Sequence, residues 1–213
     1  MLASILPSGP PRIRPARTAD GSLSYFDGGL TVQHEYDAQT GAYACRQRFS
    51  ASSEHTNQGR KSAATPPMHV HLYEKETLEV IDGTMVYVMD GHEATAHKGD
   101  KVVIEPGVKH TFWRSEKDSE DLVMSASPSC GGHGPGFCES FARNFYGYLS
   151  SCVAAKSSPC PFQLFQFLDS AGVTLALPLG LGRLCNVVLG RWVGGYVFGF
   201  STSYPEFETD KGE

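Results

Sequence analysis

Short runs of alternating hydrophobic and polar residues occupy the chain between about residues 21 and 128. Seven of these runs are rich in β-branched and aromatic residues and are separated by turn residues: YACRQRFSA, MHVHLYE, TLEVIDG, GTMVYVMDG, KVVIEPG, HTFWRS and DLVMSA. A period of two residues is typical of strands with one buried face. Strands so closely spaced predict an antiparallel sandwich or barrel, and the unpatterned stretch from Ser50 to Pro67 predicts a long loop before the second run.

The pattern changes at both ends of this region. Residues 1–20 contain Pro and Arg without periodicity, which predicts an extended arm. After Pro128 the apolar residues recur at helical spacing, and Pro159 and Pro161 are typical of a helix start. We therefore divide the chain into an N-terminal arm (1–20), a β domain (21–128) and an apolar extension of two or three helices (129–213).

The last part of the extension is unusually apolar, but Pro178 and two arginines interrupt it, which argues against a membrane-spanning helix. Gly190 and Gly194, like Gly195 and Gly199, have the four-residue spacing that permits close helix packing. Three interpretations stay open: helices packed on the β domain, peripheral contact with a membrane surface, or a dimer interface.

Composition and charge narrow the class of protein. A chain of 213 residues with 40% hydrophobic residues can bury a full core. A net charge of -5 with scattered Lys and Arg gives no basic surface, so we expect no nucleic-acid partner. The N-terminus lacks the features of a signal peptide, and six cysteines without a CxxC pair predict free thiols. These features favour an intracellular protein, either cytoplasmic or peripherally attached to a membrane.

The segment PPMHVHLYEKETLEVIDG carries the candidate chemistry. His69 and His71 lie two residues apart in a predicted strand, so they share a face and can bind one ion. Glu76 follows on an apolar face, and His110 returns towards them after a predicted hairpin at Asp90-Gly91. Three imidazoles and a carboxylate suit a divalent transition metal and leave coordination positions for other ligands.

These positions resemble the two motifs of the cupin superfamily. The first reads H-x-H-x4-E-x6-G from His69 to Gly83, and the second begins at Gly99 and ends beyond His110. The resemblance implies a jelly-roll-like antiparallel barrel with one metal bound by His69, His71, Glu76 and His110. Three positions depart from the family pattern without removing a ligand: Ala63, Glu105 and Arg114.

Alternatives to this site stay open. In one alternative, the histidines are ordinary core or surface residues that bind no metal. In another, Glu74 or Glu79 replaces Glu76 as the carboxylate ligand. Arg114 shares a face with His110, so it is a candidate catalytic residue that would pair with an anionic substrate, or else it extends to the rim of the barrel.

We expect an oxygenase or oxidase that uses Fe(II) and acts on a small organic molecule, aromatic or polyketide-like. Mn, Zn, Ni or Co are alternative ions. A redox-neutral isomerase, cyclase or dehydratase is the second hypothesis, and a ligand-binding barrel without turnover is the third. The resemblance also implies a homodimer, with the N-terminal arm as a candidate exchanged segment.

Overall fold

The structure is a computed structural model, and it describes residues 12–129 and 136–208. The first eleven residues of the predicted arm, together with Cys130 and His133, lie outside the described residues. The strands are β1 (Ala16–Arg17), β2 (Leu23–Tyr25), β3 (Leu30–Tyr36), β4 (Tyr43–Phe49), β5 (His69–His71), β6 (Glu76–Asp82), β7 (Thr84–Met89), β8 (His92–His97), β9 (Lys101–Ile104), β10 (His110–Arg114), β11 (Leu122–Pro128) and β12 (Val173–Leu175).

The strands form two antiparallel sheets across the described residues. One has seven strands in the order β1-β2-β3-β4-β11-β6-β9, and the other has five in the order β12-β5-β10-β7-β8. Buried and less buried positions alternate along β4 and β11, because their inner faces meet the core. The predicted antiparallel fold is thus confirmed, as two sheets that do not close into one barrel.

Two Asp-Gly turns have different roles in this topology. Asp90 and Gly91 both have positive φ and join β7 to β8 in a tight hairpin, as predicted. Asp82-Gly83 does not form a hairpin, because β6 and β7 belong to different sheets. Gly83 is required there, since its φ is +75° and an added Cβ would lie 2.2 Å from the carbonyl oxygen of Asp121.

Three α-helices lie in the described part of the extension, in agreement with the prediction. They are α1 (Glu139–Ala154), α2 (Pro161–Ser170) and α3 (Leu181–Cys185), and α3 continues as a π-helix over Asn186–Val197. We call α3 and this continuation the C-terminal helix. The extension is not wholly helical, because β12 lies between α2 and α3 and pairs with β5.

Helices α1 and α2 pack on the β domain, but the three interpretations concern the C-terminal helix that follows them. Buried residues of both sheets and of α1 and α2 form one hydrophobic core that includes Phe141, Phe145 and Phe167. The C-terminal helix packs mainly on α2. None of the helices in the described ranges is both long enough and apolar enough to cross a bilayer. The five cysteines at described positions, Cys45, Cys138, Cys152, Cys160 and Cys185, are free.

Candidate metal centre

Four side chains from three strands converge between the two sheets. His69 and His71 lie on β5, and His110 begins β10 directly opposite His69. Glu76 begins β6 in the other sheet and faces them across the interior. One ligand atom from each of the four residues lies within 4.8 Å of the others. The structure therefore brings together the four residues that the sequence analysis selected as metal ligands.

The electrostatics of the cluster keep Glu76 ionised beside a neutral His69. Burial disfavours the charged form of Glu76, but the adjacent His71 and His110 lower its pKa to about 2. Burial and the neighbouring imidazoles of His110 and His71 lower the pKa of His69 to about 3. Burial opposes protonation of His71, whereas the charge of Glu76 raises its pKa.

Backbone carbonyls orient two of the histidines. The Nδ1 atoms of His69 and His110 lie 2.8 Å and 3.1 Å from the carbonyl oxygens of Pro67 and Val108. A carbonyl oxygen only accepts hydrogen bonds, so these Nδ1 atoms carry the proton in the neutral ring and Nε2 keeps its lone pair. Both rings therefore offer Nε2 to the centre of the cluster, which is the usual arrangement of metal-binding histidines.

Glu74 places a carboxylate near His71 at ion-pair distance rather than hydrogen-bond distance. Its Oε2 lies 3.9 Å from Nδ1 of His71 and accepts a hydrogen bond from the backbone N–H of Phe137. Glu79, the other rival carboxylate, is part-exposed and pairs with Lys101. Neither residue is in the cluster, so Glu76 is the carboxylate that the geometry favours.

Three buried atoms at the centre of the cluster have no hydrogen-bond partner: Nε2 of His71, Nε2 of His110 and Oε2 of Glu76. Glu76 Oε2 lies 3.6 Å and 3.2 Å from these two nitrogens. In the neutral ring that carries its proton on Nδ1, Nε2 of His110 is an acceptor facing a second acceptor, Oε2 of Glu76, which is unfavourable in a buried site unless a cation lies between them. The donor set thus fits a divalent metal ion.

A mostly apolar cavity of about 60 Å³ adjoins the cluster. One water molecule needs about 10–15 Å³, so the cavity is larger than a site for a single water. The walls include residues 63–67 of the long loop, Phe112 of β10, Phe137 before α1, and Phe141 and Phe145 of α1. The loop before the histidines thus forms part of the cavity wall. Helix α1 closes the other side, so the extension contributes directly to the site.

Strand register places the residues around the cluster. His110, Phe112 and Arg114 lie opposite Met89, Tyr87 and Met85, respectively, so this row of β7 faces inwards. Arg114 is buried, but it is not among the residues that line the cavity. Its Nη1 donates to the carbonyl oxygens of Asp118 and Glu120 and so holds the loop before β11. These contacts give no support to a catalytic role for Arg114, which stays a prediction.

Comparison with known proteins agrees with this site. Residues 60–125 match the family model described as Cupin domain. This segment is identified as a cupin domain, and it contains all four residues of the cluster.

Relatives match beyond the domain. The probable oxidoreductase virH of Hypocrea virens is 28% identical over 95% of this chain and 94% of its own length. The oxidoreductase iacF of Pestalotiopsis fici is 36% identical over 56% of this chain and 59% of its own length. The epoxidase atD of Aspergillus terreus is 26% identical over 68% of this chain and 47% of its own length. This chain therefore spans about half the length of the latter two relatives and nearly all of the first.

Proposed function

We propose that this chain is a metal-dependent oxidoreductase, an oxygenase or oxidase, that acts on a small organic molecule with an aromatic or polyketide-like skeleton. The main support for this proposal is that three imidazoles and one carboxylate converge beside an aromatic cavity, with buried ligand atoms that have no hydrogen-bond partner. The names of three relatives, two oxidoreductases and an epoxidase, support oxidoreductase chemistry.

Each part of the site has a physical role in this proposal. His69, His71, Glu76 and His110 would hold the ion, and a redox-active divalent metal would supply one-electron chemistry with dioxygen as the oxidant. The carbonyls of Pro67 and Val108 hold the Nδ1 protons and so fix two rings in the ligating tautomer. The phenylalanine side chains exclude water and give the substrate an apolar surface.

Metal content is the first test. We expect about one equivalent of iron or manganese in protein purified without chelator, and its loss in the His69→Ala, His110→Ala double variant. The matched control is the His92→Ala, His97→Ala double variant, since both residues are exposed on β8 outside the cluster. The control should keep the metal.

Oxygen uptake then separates the classes of function. Uptake that depends on an aromatic substrate and on the four ligands supports the proposal. Turnover with only zinc or nickel bound would overturn it in favour of a redox-neutral enzyme. No bound metal, even after reconstitution with Fe(II), would overturn it in favour of a ligand-binding barrel.

A further inference from the structure

A polar pair lies in the wall of the cavity, apart from the metal cluster. Gln47 is 1% exposed on β4, and Tyr146 is on α1; both line the cavity. The Tyr146 hydroxyl donates to Gln47 Oε1 over 3.4 Å, and Gln47 Nε2 donates to Cys45 Sγ over 3.6 Å. The contact with Tyr146 is long for an O–H···O hydrogen bond, and a thiol sulfur is a weak acceptor. The Gln47 amide is therefore poorly satisfied for a group buried in an apolar core.

The protonation states of its neighbours make this a neutral site. Burial raises the pKa of the Tyr146 hydroxyl well above its usual value, so Tyr146 stays a donor. Burial also raises the pKa of Cys45 to about 12, so its sulfur remains a thiol. A buried amide with weak partners costs free energy, which a ligand that supplies a better partner would recover.

The other cavity residues limit the kind of ligand. None of the described residues that line the cavity is Lys or Arg, and Glu76 is the carboxylate among them. In the metal-free protein, an anionic ligand would lie near that negative charge, with no cationic side chain in the lining to compensate it. The cavity thus favours a neutral molecule, with an apolar body against Phe112, Phe137 and Phe141.

We propose that Gln47 and Tyr146 bind a carbonyl or hydroxyl oxygen of a neutral, otherwise apolar substrate and so determine substrate specificity. The inference deepens the proposed function and rests on it for the reaction, but the binding step itself needs no metal. Gln47 Nε2 and the Tyr146 hydroxyl would donate to the oxygen, while the apolar body extends towards the metal cluster.

Phenol and toluene test this inference, because they have nearly the same shape and differ in one oxygen. We would measure the Kd of each for the metal-free protein by NMR titration. We call the affinity for phenol relative to that for toluene the phenol preference, and one net hydrogen bond of about 1 kcal/mol should raise it roughly fivefold above its value without the polar pair. In Tyr146→Phe and Gln47→Met we expect the phenol preference to fall by about this factor while the affinity for toluene stays unchanged.

Tyr25→Phe is the matched control. The Tyr25 ring lies 5.8 Å from that of Tyr146 and is buried in the same core, but it does not line the cavity. Loss of the Tyr25 hydroxyl should leave the phenol preference unchanged. An unchanged preference in both test variants would overturn the inference, as would equal weakening of both ligands or no saturable binding of phenol to the wild-type protein.

Metal content in the same preparations separates the two proposals. If phenol preference depends on the polar pair while the wild-type protein binds no metal, the proposed function fails and the inference about binding stands. If the protein binds its metal but the variants keep the preference, only the inference fails.

Discussion

At the scale of single residues, the cluster is organised by atoms outside it. Carbonyl oxygens accept from Nδ1 of His69 and His110, and a carboxylate, Glu74, faces Nδ1 of His71. Of these groups, the Glu74 carboxylate belongs to a side chain, so a substitution can remove it, whereas the backbone carbonyls cannot be removed in this way. It is also tied to the start of the extension through the N–H of Phe137. Ring orientation and the path of the chain before α1 are therefore linked.

Glu74→Gln should weaken metal binding without abolishing it. The amide keeps an acceptor for the N–H of Phe137 but loses the charge that favours the Nδ1 proton of His71, so we expect Co(II) affinity to fall about 10- to 100-fold. Competition with a chromophoric chelator measures this. Glu79→Gln is the control, since Glu79 pairs with Lys101 away from the cluster, and equal effects of the two would contradict the role of Glu74.

The environment of His34 should make the stability of the folded protein sensitive to acid, independently of the metal cluster. Burial, and then the charge of Arg143, lowers the pKa of His34 from 6.5 to about 4. The unfolded state therefore binds more protons between these values, and the free energy of unfolding should fall as the pH drops from about 6.5 to about 4.

The free energy of unfolding should fall by at most about 3 kcal/mol through this effect, and solvent screening reduces that amount. Urea unfolding of wild-type protein and His34→Gln at a series of pH values measures it. The variant should show a shallower loss over that interval, and parallel curves would refute the assignment. Nδ1 of His34 lies 2.8 Å from the Tyr43 hydroxyl, a contact that Gln can partly replace.

At the scale of elements, the C-terminal helix approaches α2 closely because of its glycines. An added Cβ at Gly190 would lie 2.5 Å from the carbonyl carbon of Phe165, and one at Gly194 would lie 2.8 Å from the carbonyl oxygen of Phe162. The small-residue spacing in the sequence thus indicates a helix contact, and in the structure this contact is within the chain.

Gly190→Ala should destabilise the protein by about 1–3 kcal/mol, because backbone atoms of α2 cannot move aside. At Gly195 the nearest atom is Nε2 of Gln166, 3.0 Å from the added Cβ, at the end of a flexible side chain. Gly195→Ala should therefore change stability by less than about 1 kcal/mol. Thermal unfolding compares them, and equal shifts in Tm would contradict the close approach at Gly190.

Local periodicity could predict most of these elements but not all of their partners. The strands of the β domain and helices α1 and α2 have clear patterns of period two or 3.6. Strand β12 has only three residues and depends on pairing with β5, about 100 positions earlier, so its local sequence resembles the helical segments around it. Likewise, nothing near Asp82-Gly83 shows that the chain passes there to the other sheet.

The site shows the same division. The spacing of His69, His71, Glu76 and His110 predicted a cluster that the structure brings together. Strand parity placed Arg114 on the correct face but could not show that Asp118 and Glu120 engage its guanidinium. Gln47 was missed because its role depends on Tyr146, which lies 99 positions away in the chain.

At the scale of the whole molecule, the C-terminal helix leaves an apolar face uncovered. Its exposed residues form what we call the apolar face: Leu181, Leu184, Trp192, Tyr196 and Val197. The sequence has no acidic residue between Asp169 and Glu206, whereas Arg183 and Arg191 lie on this helix. Arg191 pairs with Asp169, which leaves Arg183 as the exposed cation beside the apolar face. Apolar, aromatic and cationic groups together are typical of helices that lie on anionic lipid surfaces.

The described part of the N-terminal arm contacts its own chain. Arg12 lies over the ring of Tyr204 at 4.1 Å, and the Ile13 N–H donates to Ser151 Oγ. The expected homodimer and the exchanged arm stay predictions. Sedimentation velocity of the full chain and of a variant lacking residues 1–20 would test both, and an unchanged profile would count against exchange of the arm.

We predict that the apolar face binds vesicles containing phosphatidylserine and binds pure phosphatidylcholine vesicles weakly. Leu184 and Trp192 are 56% and 55% exposed, so Leu184→Ser with Trp192→Ser should lower vesicle binding at least about tenfold with little effect on folding. Val103→Ser is the control, because Val103 is 48% exposed on β9. If vesicles do not bind but the double variant loses a dimer seen by sedimentation, the face is a subunit interface instead. Lipid binding and dimerisation would cover the same side chains. If the protein binds vesicles through the apolar face, we therefore expect that no subunit contact covers this face in solution.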